Sequence, residues 1–304
     1  MAQALAAPGE RRHGFASLGS YNLDFGRISA LAVSKRGNLL ICDNMKQKIV
    51  LVDPEINYLQ HLPLQGNPWD VAINKENYAY VTVPNKLSVL AINPDRLTSR
   101  EIVQDSQPIC ISAMSSTAKF RLGTANFKPW INLTTTVCSK TLEIVNEHTK
   151  QFYQSEFFKL HCIECPAYTT DYLCNADENS ITIQKMYNDG RTVKDNLAFY
   201  NNGYNLAYYT QSMPRATFEP ITQTFQGTLD VPSDICGDDN GHIYVCGQYS
   251  HNILRLTQEG KLVDIPLSYQ HGIQYPVAMC FNQDCNKMYI ANNWGRSILA
   301  FDVV

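Results

Sequence analysis

The sequence predicts an all-β chain folded as one six-bladed β-propeller. Three observations lead there: a repeat of about 40 residues, proline and turn signals that punctuate each copy, and an incomplete last copy matched by a surplus strand near the N-terminus. The 304 residues are 44% hydrophobic and 17% charged, with 17 Tyr and 12 Phe, so a packed core is expected and the aromatics favour strands. A net charge of -3 points to neither nucleic acid nor membrane. No apolar run approaches the roughly 20 residues of a membrane helix, and the N-terminus lacks the pattern of a secretory signal.

The clearest copies are GNLLICDNMKQKIVLVDPE, from Gly37 to Glu55, and GHIYVCGQYSHNILRLTQEGK, from Gly241 to Lys261. They align without a gap, Cys42 on Cys246 and Ile49 on Ile253. A third copy runs from Asn286 to Val304, and weaker ones cover Tyr78 to Asp95, Phe120 to Val137 and Asp171 to Lys185. One position in each copy (Cys42, Val81, Thr124, Cys174, Cys246, Ala291) recurs at steps of 39, 43, 50, 72 and 45 residues. The long step is read as one blade plus an insertion near 201–227.

Four copies are preceded by a short strand opened by Pro68, Pro108, Pro232 or Pro276, where a missing N–H costs the ladder nothing. The last copy ends at Val304 after its third strand, while Phe15 to Phe25 forms a strand without a blade. Pairing the two closes the ring and removes two exposed edges. Residues 1–14 are then a flexible leader and 15–304 the propeller.

The innermost strand of each blade faces a crowded channel and needs a small residue. Alignment puts Ala32, Ala72, Ser112, Cys236 and Cys280 there, with Glu164 in the fourth blade. Cys42, Cys174 and Cys246 share a second-strand position, so half of the 10 cysteines behave as small buried hydrophobes on separate blades. Reduced thiols and a cytoplasmic location are expected. His161-Cys162-Ile163-Glu164-Cys165 resembles half a zinc site but lacks a second ligand pair, so no metal or cofactor is expected.

These copies, with PVAMCFNQDCNKMYIANNWGRSILAFD, resemble NHL repeats: a strand-opening Pro, a Gly-Asn or Gly-His turn, a β-branched and aromatic strand, a polar loop and an Ile-rich strand. The resemblance is strongest over Ile28 to Glu55 and Pro232 to Val304, and only Asp43 keeps the family's Asp after the second strand. It implies a propeller like the one at the C-terminus of tripartite-motif ubiquitin ligases, where it recruits substrate. No RING or B-box array accompanies it here.

No GxSxG, HExxH, Walker or GxGxxG motif is present, and the chain is expected not to be an enzyme. Asp70 and Asp234, each two residues after an opening Pro, are expected to bond backbone groups at the channel mouth; a metal-dependent hydrolase or lyase would require them to converge on one ion. Loops before the first strand and between the second and third share one face. That face collects Trp69, Phe127, Trp130, Tyr249, Trp294 and Tyr275 with Lys46, Lys48, Lys86, Lys128, His251 and Arg296, and the acidic pair Asp177-Glu178 interrupts its ring of cations. Aromatic anchors rimmed by charge suit a protein partner. The same mixture could hold RNA, whereas no membrane or small-molecule cofactor is expected.

Overall fold

The computed structural model describes residues 14–74, 76–103, 108–113, 119–124, 130–136, 139–145, 158–164, 168–175, 180–187, 197–201, 205–209 and 229–304. Its strands, in chain order, are β1 (Phe15–Tyr21), β2 (Ile28–Val33), β3 (Leu39–Asp43), β4 (Lys48–Val52), β5 (Tyr58–Pro63), β6 (Asp70–Ile73), β7 (Ala79–Val83), β8 (Ser88–Asn93) and β9 (Thr98–Val103). There follow β10 (Pro108–Ala113), β11 (Lys119–Thr124), β12 (Trp130–Thr136), β13 (Ser139–Val145), β14 (Phe158–Glu164), β15 (Tyr168–Asn175), β16 (Ser180–Tyr187), β17 (Leu197–Asn201) and β18 (Asn205–Tyr209). The last are β19 (Pro232–Gly237), β20 (Ile243–Gly247), β21 (Asn252–Leu256), β22 (Leu262–Ser268), β23 (Ala278–Phe281), β24 (Lys287–Asn292) and β25 (Ser297–Val303).

Among the described residues these strands form antiparallel sheets in the orders β2–β3–β4–β5, β6–β7–β8–β9, β10–β11–β12–β13, β14–β15–β16–β17–β18, β19–β20–β21–β22 and β1–β25–β24–β23. In four of these sheets the side chains are largely described; β10–β13 and β14–β18 are known mainly through their backbone pairing. The first strands pack in a cycle, β2 on β6, β6 on β10, β10 on β14, β14 on β19, β19 on β23 and β23 back on β2. The expected all-β propeller is therefore the observed fold.

Burial follows from this stacking. Inner strands have a neighbouring sheet on both faces, so ISALAV of β2 and LLICD of β3 are buried at every position. The outer β5 alternates between half-buried and exposed residues. The core lies between sheets: Leu40, Cys42 and Ile49 pack on Val71 and Val81, and Leu31, Ile41 and Val50 on Tyr289 and Ala291. Three described turns after first strands are built alike, each capped by one side chain. Asn74 Oδ1 accepts the N–H of Glu76 and Tyr78, Asp238 Oδ1 those of Asn240 and His242, and Asn282 Oδ1 those of Asn286 and Lys287.

Hydrogen bonds latch one sheet to the next where the first strands begin. Ser29 Oγ donates to the Pro68 carbonyl and Ser233 Oγ to the Pro276 carbonyl, at 2.9 and 2.8 Å. Asp70 Oδ2 accepts the Ile111 N–H and Asp234 Oδ2 the Met279 N–H, at 2.9 and 2.7 Å. β1 pairs with β25 from Phe15↔Val303 to Tyr21↔Ile298, so the surplus strand completes the last sheet.

The leader expected at 1–14 lies outside the described residues except for Gly14. Of the insertion expected near 201–227, only Asn201 and β18 are described, β18 as the fifth strand of its sheet. Eight cysteines are described and all are free thiols; Cys138 and Cys165 lie outside the described residues.

Two details of register differ from expectation. Asp70 pairs with Thr82 and Cys110 with Gly123, as Ala30 does with Cys42 and Asp234 with Cys246. The second and third blades therefore shift by one residue, to Thr82 and Gly123 in place of Val81 and Thr124. Glu164 is not the inward small-residue equivalent. Ala72, Cys236 and Cys280 pair with Tyr80, Tyr244 and Tyr289, and the residue that pairs with the matching Tyr172 is His161. Glu164 pairs with Thr169 three residues further along β14. That copy has no opening Pro to mark the start of its strand, so only the ladder reveals its phase.

Candidate functional site

Two constellations carry chemistry: a charged cluster in the channel and an aromatic and basic rim around its mouth. The cluster follows from the corrected register. Two residues before the small position, the first strands place Ala30, Asp70, Cys110, Lys159, Asp234 and Ala278. One buried ammonium thus shares a ring of equivalent positions with two carboxylates.

Lys159 reaches from β14 to the first two sheets. Its Nζ donates to the carbonyls of Ser29 and Trp69 at 2.9 and 3.0 Å and to Asp70 Oδ1 at 2.8 Å, which uses all three ammonium protons. The Trp69 ring centroid lies 5.5 Å from Nζ, within cation–π range. Burial by itself would push the Lys159 amine down; the charges of Asp70 and Asp234 outweigh it and hold the ammonium above its ordinary range. Sequence reasoning missed Lys159, and the signal was available: once the strands are in phase, it falls where two other blades carry Asp.

Asp234 is pushed up to about 7, first by burial and then by Asp70, against the opposing effects of Lys159 and the Met279 N–H. A carboxyl in that range exchanges protons near neutral pH. On β14, burial pushes the His161 imidazole down to about 4. Burial also raises the thiols of Cys42, Cys174, Cys236, Cys246 and Cys280, leaving them protonated and weakly nucleophilic.

Opposite pH dependences follow. Folded Asp234 binds its proton more tightly than the unfolded chain, whose carboxyl titrates near 3.8, so its contribution to stability is complete below 3.8 and is lost as pH rises through about 7. Folded His161 resists protonation, so its contribution is complete above 6.5 and is lost as pH falls towards about 4. Asp234→Asn should remove the first effect and leave stability rising with pH across that window. Denaturant midpoints across the pH range test this; the same profile in wild type and variant would mean that Asp234 stays ionised.

The rim is built from loops between second and third strands and from the links into the first strands. Asp43, buried at the end of β3, accepts the N–H of Gly26, Arg27 and Lys46 at 3.0–3.1 Å. At the equivalent place in the last sheet Asn292 does similar work, accepting the Gln274 N–H and donating to the Gly272 carbonyl. The loops are joined in series: Tyr275 N–H donates to His251 Nδ1, Ile28 N–H to the Gly295 carbonyl, Asn67 Nδ2 to the Asn44 carbonyl, and Asn85 Nδ2 to Asn67 Oδ1.

At one end of this series the rings of Tyr275 and Trp294 stack at 4.6 Å and 20°. Tyr249 meets both nearly at right angles, with centroids 6.0 and 5.4 Å away, and His251 stands edge-on to Tyr275 at 4.3 Å. Tyr249 is half exposed and Tyr269, beside His251, largely exposed. Of the residues expected to bind, Tyr249, His251 and Trp294 therefore come together, with Arg296 exposed on the same loop as Trp294. Lys46, Lys48 and Lys86 lie further along the rim, Lys46 in an ion pair with Asp24 at 2.7 Å. Trp69 instead belongs to the channel cluster through its carbonyl and ring. Phe127 and Lys128 lie outside the described residues.

Solved structures with the same architecture extend over nearly the whole chain. The β-propeller domain of Myceliophteria thermophila Cps50 (Swd1) is 10% identical, with a TM-score of 0.61 over 95% of this chain and 100% of that one. The chain is a β-propeller. Virginiamycin B lyase from Staphylococcus aureus is 14% identical, with a TM-score of 0.65 over 95% of this chain and 100% of that one. Kuenenia stuttgartiensis hydrazine synthase is 13% identical, with a TM-score of 0.64 over 92% and 97%. No family model matches the chain, and no curated protein matches its sequence.

The expectation that the chain is not an enzyme is overturned. The neighbours that share its propeller include a lyase and a hydrazine synthase, so this architecture is compatible with catalysis. The expectation rested on missing contiguous motifs. A ring assembles its central groups from distant segments, as with Lys159, Asp70 and Asp234, and leaves no such motif to find. Among the described residues no group of three or more His, Cys, Asp or Glu is arranged to hold a metal ion, and Asp70 and Asp234 are each committed to backbone N–H groups. No helix among the described residues is long and apolar enough to cross a membrane.

Proposed function

We propose that this chain is a six-bladed, NHL-like propeller whose rim recognises protein partners, as expected of the substrate-recruiting end of a tripartite-motif ligase. The cycle of first strands supports the blade count. The observation that carries the function is the partly exposed cluster of Tyr249, Tyr275 and Trp294, which spans two sheets beside exposed cations. Large amphipathic rings held by their own packing lose little entropy on binding and dominate protein interfaces. A reduced, cytoplasmic setting is consistent with the buried free thiols.

The test is quantitative capture of partners from a cell extract, comparing wild type with Tyr249→Ala/Trp294→Ala after matching their thermal unfolding. Partners held by the rim should weaken by about 2 kcal/mol or more, roughly 30-fold. The same partners at the same occupancy on both proteins would sink the proposal.

A further inference from the structure

We infer that the rim takes an acidic peptide segment carrying one aromatic or large aliphatic anchor, which sits at Tyr249–Trp294 while its acidic residues run across the first two sheets. This rests on the protein-recognition reading above and specifies the partner's chemistry.

The argument starts from the order of groups along the rim. Trp294 is followed by Arg296 on the same loop, and the bond from Ile28 N–H to the Gly295 carbonyl, at 2.8 Å, sets Arg27 beside them. Lys46 comes next, because its loop is held to Gly26 and Arg27 through Asp43. Lys86 follows through the Asn44–Asn67–Asn85 links. Arg27, Lys86 and Arg296 are exposed and make no ion pair among the described residues. The acids along this stretch do not balance them: Asp24 is paired with Lys46, and Asp43 is buried against backbone N–H groups. Exposed Asp230, whose carbonyl accepts the Tyr249 N–H at 3.1 Å, stands at the aromatic end, so the surface is aromatic with one carboxylate at that end and positive for two sheets beyond it.

Ring geometry favours a peptide over a nucleic acid strand. Binding of bases uses open aromatic faces on which successive bases stack. Here the faces of Tyr275 and Trp294 are turned on each other and Tyr249 closes against both. Such a cluster offers ring edges to an apolar side chain, while the neighbouring cations supply long-range attraction to carboxylates.

The test is fluorescence anisotropy with a labelled peptide carrying one Trp beside a run of Asp and Glu, its Trp→Ala counterpart, a counterpart with Lys in place of the acids, and oligouridylate. The acidic Trp peptide should bind, weaken about tenfold with Trp→Ala, and weaken about tenfold on Arg27→Glu/Arg296→Glu or at high salt. Equal binding of the Lys peptide, or no binding of the acidic one, overturns the inference. Salt-sensitive binding of oligouridylate alone overturns it in favour of a nucleic acid partner. If captured partners depend on Trp294 while the acidic peptide fails, only the peptide chemistry is wrong; if they do not depend on Trp294, the recognition reading fails as well.

Discussion

Lys159→Met should destabilise the folded chain by about 3–5 kcal/mol, the usual consequence of removing one partner from a buried ion pair. Its ammonium holds Asp70 and the carbonyls of Ser29 and Trp69, and both members of the ion pair are almost fully buried. Without it Asp70 keeps, among the described residues, the N–H groups of Val71 and Ile111, and Asp234 loses the charge that opposes its upward shift. A second substitution separates charge from shape. Lys159→Met/Asp70→Asn removes both charges, and should recover part of the loss because no unpaired carboxylate remains. Denaturant unfolding of the four proteins in this cycle measures the coupling. A loss below about 1 kcal/mol in Lys159→Met would mean that water reaches the cluster and screens it.

Gly295→Ala should cost about 3 kcal/mol or more, through backbone strain and a backbone clash together. Gly295 has φ +78, and a Cβ there would lie 2.4 Å from the Ile28 carbonyl oxygen and 2.7 Å from its nitrogen. Neither can move away, because the Ile28 N–H donates to the Gly295 carbonyl where the last sheet meets the first. Gly272 supplies the control: its φ is +84, yet nothing lies within 4 Å of the added carbon. Gly272→Ala should therefore cost only the conformational part, about 1–2 kcal/mol. Thermal and denaturant unfolding of both variants decide it. Equal losses would show that the contact at Ile28 adds nothing and that the ring closes by strand pairing alone.

How much of this was legible depended on how each blade records its phase. Where a Pro opens the first strand and an Asn or Asp caps the following turn, position can be read directly. Asp70 and Asp234 were placed in register this way, and their carboxylates meet backbone N–H groups as expected. The surplus strand at Phe15 was legible because a sheet edge left open is costly whatever its neighbours. In the fourth blade neither marker is present, so Glu164 was read three residues out of phase and Lys159 passed unnoticed. A lysine is ordinarily a surface residue, and nothing local reveals that its partners lie 89 to 130 residues away.

The candidate site divides the same way. Loop connectivity in an up-down sheet puts second-to-third-strand loops on one face, so Tyr249, His251 and Trp294 could be grouped before any coordinates. Connectivity does not say which way a ring turns. Trp69, on the link into β6 at the same face, offers its carbonyl and ring to Lys159, whereas Trp294 stacks on Tyr275 at the surface.

The sequence by itself determined the repeat, the all-β propeller and the strand that completes the last sheet, because periodicity and turn chemistry are local properties and an incomplete last copy with a surplus strand at the other end is a matter of counting. Only the tertiary structure decided that a lysine pairs with Asp70 in the channel beside Asp234 and that three aromatic rings form one cluster. Both depend on the cyclic packing of the first strands, which brings residues from separate repeats within bonding distance and excludes the water that would otherwise solvate their charges.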